Sequence, residues 1–487
     1  MATIREVSAA SHTHTYHISL KEATWATALI ILVMTLLFPI LQFPPKFGTA
    51  SSDNYFHSIG LSMVALVTCL TLLFFDIPRH EPVIDFPLHY RALLTSILAA
   101  LSGIFYLTPA LSSIPQIPTI LFVLAVLFTI DITGALFIEL LFLPRKLAGS
   151  YATERVSHLR FPYRYLKMFA YSKDDFRSYS KTNAAYWLVL AGDGCLFVGE
   201  IMGLVLLWLT IFGTSFLGFY VGSLGGLQST LGSILDPHSH GVAVSLMAMV
   251  IGLAVQRFGV LERKGWKMQL TRIGIWISIL SIIALTLVYV AGAAVNYSPP
   301  TLFSSGPNGI NGMAGDDALI TLVFIGGLLA LLPMALTQFH GKRSWHDTIR
   351  CALLFTLFMW VFANSLAGFL IEFNETSFQN ALLSNDEAFA QFQPMFGIFF
   401  LTIAAMVLLA ADYYGTGSTE RRNIGVSAGV GVLIAAAGGL AWVFIDPSTS
   451  GYYFWAYIFG ILLVCASILL SVVAIYRAKT TGIKVMK

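Results

Sequence analysis

Two histidines one residue apart, His238 and His240, stand in the run Asp236-Pro237-His238-Ser239-His240, and the first charged residue after them is Arg257. Neutral imidazoles ligate iron and copper, so a paired motif at the mouth of an apolar helix is a candidate haem or metal site. Asp is a favoured helix cap and Pro is tolerated in the first turn, so the run predicts a helix that starts at Pro237. Residues two apart on a helix point about 200° apart. The two rings therefore serve two sites, or one site and a structural contact. A helix N-terminus also favours neutral imidazole. A third histidine, His57, follows Asp53 at the interval that separates Asp236 from His240. Both rings are then expected at one depth, facing each other if their helices are neighbours.

Four carboxylates lie in apolar surroundings: Asp131 and Glu139 in one run, Asp193 and Glu200 in the next. Charge inside a bilayer is costly, so such groups are functional candidates. At 1.5 Å rise per residue they form a ladder from about 6 Å above the inner boundary at Glu139 to about 24 Å at Glu200, with Asp193 and Asp131 between. A proton relay from inside towards the histidines is the sharp reading. Interhelical hydrogen bonding, with Glu139 near Arg145 and Lys146, is the plain one.

The elements that must position these groups are membrane helices. The chain has 487 residues, is 57% hydrophobic and 11% charged, and has a mean hydropathy of +0.77. Such a composition excludes a soluble domain or a nucleic-acid binder and predicts an all-α polytopic helix bundle. Twelve spans are read, at roughly 25–42, 57–76, 91–108, 118–143, 184–212, 239–257, 273–295, 318–339, 351–371, 395–412, 424–445 and 452–476, each boundary uncertain by about 2–4 residues. Basic residues gather in cytoplasmic loops. With both termini inside, 27 of the 28 Lys and Arg fall on the inner side and Lys46 alone falls outside. The expected plan is a cytoplasmic tail (1–24), one transmembrane domain (25–476) with a basic inner loop (144–183), and a cytoplasmic tail (477–487). The uncharged, glycine-rich stretch Gly213 to Leu235 is read as an outer loop, either plain or re-entrant. His238, His240 and His57 then lie at the outer face.

The remaining polar residues suggest less. Cys69, Cys195, Cys351 and Cys465 lack CxxC spacing and read as packing residues. His12, His14 and His17 read as part of a solvated arm, and His80, His89, His158, His340 and His346 as inner-side residues, with His89 and His340 weighed as a second pair. Aromatics alternating with cations around Phe161, Tyr163, Arg164, Tyr165 and Lys167 suit an anionic inner leaflet. No internal repeat is apparent.

The run Pro237 to Gly241 and its apolar continuation resemble the His-x-His helix of the haem-copper oxidase and nitric oxide reductase large subunits. His57 in Tyr55-Phe56-His57-Ser58 resembles the helix-two ligand of that family, which also has twelve helices with both ends inside. The resemblance implies that His57 and His240 hold a low-spin haem and His238 a second haem. The family carries its pair on the tenth span, whereas here the pair is on the sixth. No histidine lies in spans three to five, so b-type haem is the expected cofactor rather than copper.

The expected function is a haem-binding redox protein of a respiratory chain, in a prokaryotic plasma membrane. It would exchange electrons with a quinol or an outer-face carrier, alone or with other subunits, and an oxidoreductase activity coupled to proton movement would suit it. A proton-coupled secondary transporter and a non-catalytic subunit of a respiratory complex are the alternatives.

Overall fold

A chain crossing lipid must pair every backbone N–H and C=O internally, which helices do within one segment. The computed structural model is all-α, with no strand among the described residues. Those residues are 18–41, 50–77, 86–108, 116–146, 184–214, 217–262, 264–295, 315–339, 347–373, 392–415, 417–446, 448 and 450–478. The helices are α1 (Leu20–Leu41), α2 (Ala50–Phe74), α3 (Leu88–Leu107), α4 (Gln116–Lys146), α5 (Ala184–Phe212), the short α6 (Gly218–Ser223) and α7 (Leu227–Phe258). They continue as α8 (Trp266–Val295), α9 (Gly315–Phe339), α10 (Thr348–Phe373), a π-helical turn (Phe392–Phe400) leading into α11 (Leu401–Tyr414), α12 (Ser418–Phe444) and α13 (Tyr452–Arg477). Eleven helices are long and apolar enough to cross a membrane, and α10 adds the shorter apolar stretch Thr348–Asn364. The chain is an integral membrane protein by this measure. Most of the basic loop, Lys46, the far ends of both tails, and His12, His14, His17, His80, His158, His340 and His346 lie outside the described residues.

The histidine-bearing helices start earlier than the sequence reading expects. α7 begins at Leu227, so Asp236 and Pro237 lie in its interior and the expected start at Pro237 is wrong. The cause is the turn at Gly225 and Gly226, whose φ values of 86° and 111° suit glycine and end the preceding α6. Pro237 forfeits one backbone hydrogen bond, which a membrane helix supported by neighbours tolerates. Gly213 to Leu235 is therefore not a plain loop: it holds α6 and the first turns of α7. α2 likewise begins at Ala50, which puts Asp53 within the helix instead of at its cap. The argument that a helix N-terminus keeps these imidazoles neutral falls with the caps.

Packing follows a four-span period. Most residues of the α2, α7 and α11 spans are buried (89%, 78% and 83%), against 33–56% for the other eight long apolar spans. These three are the second, sixth and tenth crossings, and each touches the other two. Around them the outer helices pack as three consecutive sets: α3–α4–α5, α8–α9–α10, and α12–α13–α1. A helix enclosed on all sides must be apolar or small all round. The buried α11 run Leu401 to Ala411 meets that demand with Leu, Ile, Val, Met, Ala and one Thr.

Small residues set the closest approaches, as expected where lipid competes equally for apolar side chains. A Cβ on Gly274 of α8 would come within 2.5 Å of the Gly326 carbonyl of α9, so neither helix could move closer with alanine there. The start of α1 and the end of α13 meet at one end of the bundle. Lys21 Nζ donates to the Tyr476 carbonyl at 3.2 Å and also to that of Ala478.

Candidate functional site

His57 and His238 come together where α2 meets α7. Their rings are parallel, with 3° between the planes, and their centroids are 6.1 Å apart. His57 is exposed and lies about two turns into α2. Phe122 of α4 meets it edge-on at 6.5 Å. The ring that pairs with His57 is thus His238. His240 is exposed, and among the described residues no ring contact joins it to His57. The 200° offset explains this: with His238 turned towards α2 and α5, a residue two positions on faces elsewhere.

α5 seats the His238 ring. Gly199 and Gly203 lie one turn apart on that helix, the first offering its carbonyl and the second leaving space. A Cβ on Gly203 would stand 2.6 Å from His238 Cε1, so only glycine leaves room for the ring. The Gly199 carbonyl lies 3.0 Å from His238 Nδ1. A carbonyl only accepts, so Nδ1 carries the hydrogen and donates it. In the neutral ring this leaves the Nε2 lone pair available, the arrangement that orients metal-ligating histidines.

The donor set tests which group could bind. A metal about 2.0–2.1 Å from one nitrogen of each ring, with roughly 1.2 Å from that nitrogen to the ring centre, would hold opposed rings with centroids about 6.4 Å apart. The observed centroid spacing of 6.1 Å is close to that value, and the planes are parallel and stacked. Among the described residues no three His, Cys, Asp or Glu side chains converge as a metal site. Two imidazoles are an incomplete set for zinc or copper, which take more protein ligands. They are the whole protein share of a haem with two axial ligands.

The carboxylates divide into two groups. Gly134 of α4 abuts Phe197 of α5, and Gly194 of α5 abuts Phe137 of α4. These contacts put Asp193 about level with Glu139, and Glu200 about level with Asp131, so the ladder has two rungs rather than four. Asp131 turns the other way, towards α3, where Arg91 Nη1 donates to it at 2.7 Å. The Arg91 side chain is 1% exposed and that of Asp131 40%, so the aspartate reaches the outside of the bundle while the arginine is enclosed. Glu139 is buried on α4. Asp193 is buried on α5, and neither carboxylate oxygen has a hydrogen-bond partner among the described residues. Glu200, also buried, adjoins Gly199 in sequence and so lies next to the seat of His238.

Several participants escape the sequence reading. Gly199 and Gly203 have the four-residue spacing of a helix groove, a signal that is present but common. Arg91 sits near a predicted span boundary, where a solvated role is the simpler assumption. His89 Nε2 contacts the Ile18 carbonyl at 3.0 Å, which ties the start of α3 to the start of α1. Its proposed partner His340 is outside the described residues. All four cysteines are free. A scan against protein-family models, a search of curated proteins and a search of solved structures found no match.

Proposed function

We propose that this chain is a haem-bearing membrane redox protein in which His57 and His238 would hold one b-type haem. The observation that carries the reading is the parallel His57–His238 pair, 6.1 Å between centroids, with Nδ1 of His238 turned to the Gly199 carbonyl. It replaces the His57–His240 pairing that the family resemblance implies. When bound, the haem would supply one-electron transfer; the protein orients it and controls access. His57, exposed at the bundle end, sets the exchange of electrons with a quinol or an outer-face carrier. Gly203 leaves space for the second ring.

Asp193 and Glu200 share one stripe of α5, about 10 Å apart at 1.5 Å rise per residue. That gap needs water between them, and the bare oxygens of Asp193 offer it a place. Protons move along this stripe to the His238 end, with Asp131 held out of line by Arg91. The unpartnered Asp193 also suits a proton-coupled transporter, in which the histidines would be gating groups.

A pyridine haemochrome spectrum of protein purified in mild detergent separates the two. The redox reading expects one b-type haem per chain, and a chain free of haem overturns it. Glu200→Gln should slow proton uptake several-fold with the haem spectrum unchanged, as read by a pH-sensitive dye in vesicles. Unchanged uptake removes Glu200 from the path.

A further inference from the structure

The other end of the bundle holds a cluster that the redox reading does not use. Asp412, at the end of α11, is completely buried and accepts from three arginines. Arg257 of α7 donates through Nε to Oδ2 at 2.6 Å and through Nη2 to the Asp412 carbonyl at 2.6 Å. Arg350 of α10 donates through Nε to both carboxylate oxygens, at 3.2 and 3.3 Å. Arg421 of α12 donates through Nη2 to Oδ1. The end of α13 lies at this same end, since Arg477 is 3.8 Å from Glu420, the neighbour of Arg421.

Asp412 carries one negative charge and faces the three positive charges of Arg257, Arg350 and Arg421. The four meet where α7, α10, α11 and α12 converge. Two of the cations also lie over aromatic rings: Arg257 over Tyr413, 5.7 Å from its centroid, and Arg350 over Phe258 at 5.5 Å. Aromatic faces fix the plane of a guanidinium and so pre-orient its donors. Among the described residues, both Nη groups of Arg350 and Nη1 of Arg257 have no protein partner. None of these atoms is among the buried unpartnered ones, and the Arg257 and Arg350 side chains are 28% and 30% exposed. The spare donors are therefore open to a ligand from outside the bundle. An ion pair alone would need one arginine, and a helix clamp would gain nothing from donors turned outwards.

We propose that Arg257, Arg350 and Arg421 form a binding site for a phosphate group, held in place from beneath by Asp412. Arginine forks match phosphate oxygens in pairs, and basic pockets between membrane helices on the inner side take anionic headgroups. The group could arrive on a lipid or as free phosphate. In either case Asp412 is the anchor of the site and Arg350, the most loosely held and most exposed of the three, is its principal contact.

Isothermal titration of the purified full chain in neutral detergent tests this with three probes: inorganic phosphate, short-chain phosphatidylglycerol, and phosphatidylcholine of the same chain length. Wild type should bind phosphatidylglycerol or phosphate at least 10-fold more tightly than phosphatidylcholine, and the affinity should fall as salt rises. Tighter binding of the lipid assigns a headgroup site, whereas tighter binding of inorganic phosphate assigns a soluble ligand. Arg350→Gln should weaken the preferred probe about 10-fold. Arg350→Lys, which keeps the charge and the fold but loses the fork, should weaken it about 3-fold and decides the matter if the glutamine variant does not fold. Absence of binding by both anionic probes, or binding unchanged in Arg350→Lys, overturns the proposal.

Discussion

Two aspartates, Asp412 and Asp193, are equally buried, yet they stand in opposite chemical settings. Asp412 receives three guanidiniums at one end of the bundle, while Asp193, within α5, has two bare oxygens. In the first arrangement the carboxylate is saturated: three guanidiniums from α7, α10 and α12 converge on this one group of α11, while Arg257 and Arg350 keep spare donors of their own. The second is open, since neither Asp193 oxygen has a hydrogen-bond partner among the described residues to stabilise a charge there. Saturated polar groups hold helices together, and unsaturated ones are free to exchange a proton or bind a ligand. Arg91 is mixed in the same sense: Nη1 is engaged by Asp131, while Nε and Nη2 are buried with no partner among the described residues.

The sharpest way to break that comparison is at Asp412. Asp412→Ala strands three arginines in a partly buried site, and truncating one side of a buried pair costs about 3–5 kcal/mol. A large fall in the melting temperature of the detergent-solubilised protein is expected. A melting temperature within a degree or two of wild type would show that the cluster does not hold the helices.

A smaller effect is expected in the His238 seat. Gly203→Ala places a methyl 2.6 Å from the ring, and overpacking of this kind costs about 1–3 kcal/mol. The ring must turn, so the variant should lose most of its haem while its melting temperature falls only modestly. Full haem content in Gly203→Ala would detach the groove from the site.

Asp193 should respond in the reverse direction. Replacing an unpartnered buried carboxyl by a similar-sized apolar residue removes a desolvation cost of about 1–3 kcal/mol. Asp193→Leu should therefore melt at or above the wild-type temperature and yet take up protons more slowly. A clear loss of stability would mean that Asp193 is paired after all, and would erase its contrast with Asp412.

How much of this was legible in the sequence follows from the same contrast. The spans were readable because long apolar runs and the one-sided distribution of basic residues are properties of the chain itself. Asp193 and Glu200 were readable because a charge in an apolar run stands out. Asp412 was not, since it lies at a span edge and its partners Arg257 and Arg350 are remote in sequence, brought near only by the meeting of four helices. The four-span period was hidden for a related reason. It is expressed in which helices are enclosed, and α2 and α7 carry histidines and hydroxyls at their ends much as an outer helix could.

The start of α7 shows a local signal overruled by another. Asp236-Pro237 has the form of a helix start, yet Gly225 and Gly226 turn the chain earlier and the helix runs through the proline. That shift changes nothing about which residues are histidines, but the rotation of α7 about its axis decides which of them meets His57. An apolar helix packed on all sides leaves that rotation unmarked in its sequence, so the pairing with His238 required the α5 groove to be seen.

The central claim is tested most directly by low-temperature electron paramagnetic resonance and optical spectra of wild type beside His57→Ala, His238→Ala and His240→Ala, each purified with its haem content measured. The account predicts a low-spin bis-imidazole haem in wild type and in His240→Ala, and its loss in both His57→Ala and His238→Ala. A low-spin signal that survives in His238→Ala and disappears in His240→Ala would contradict it.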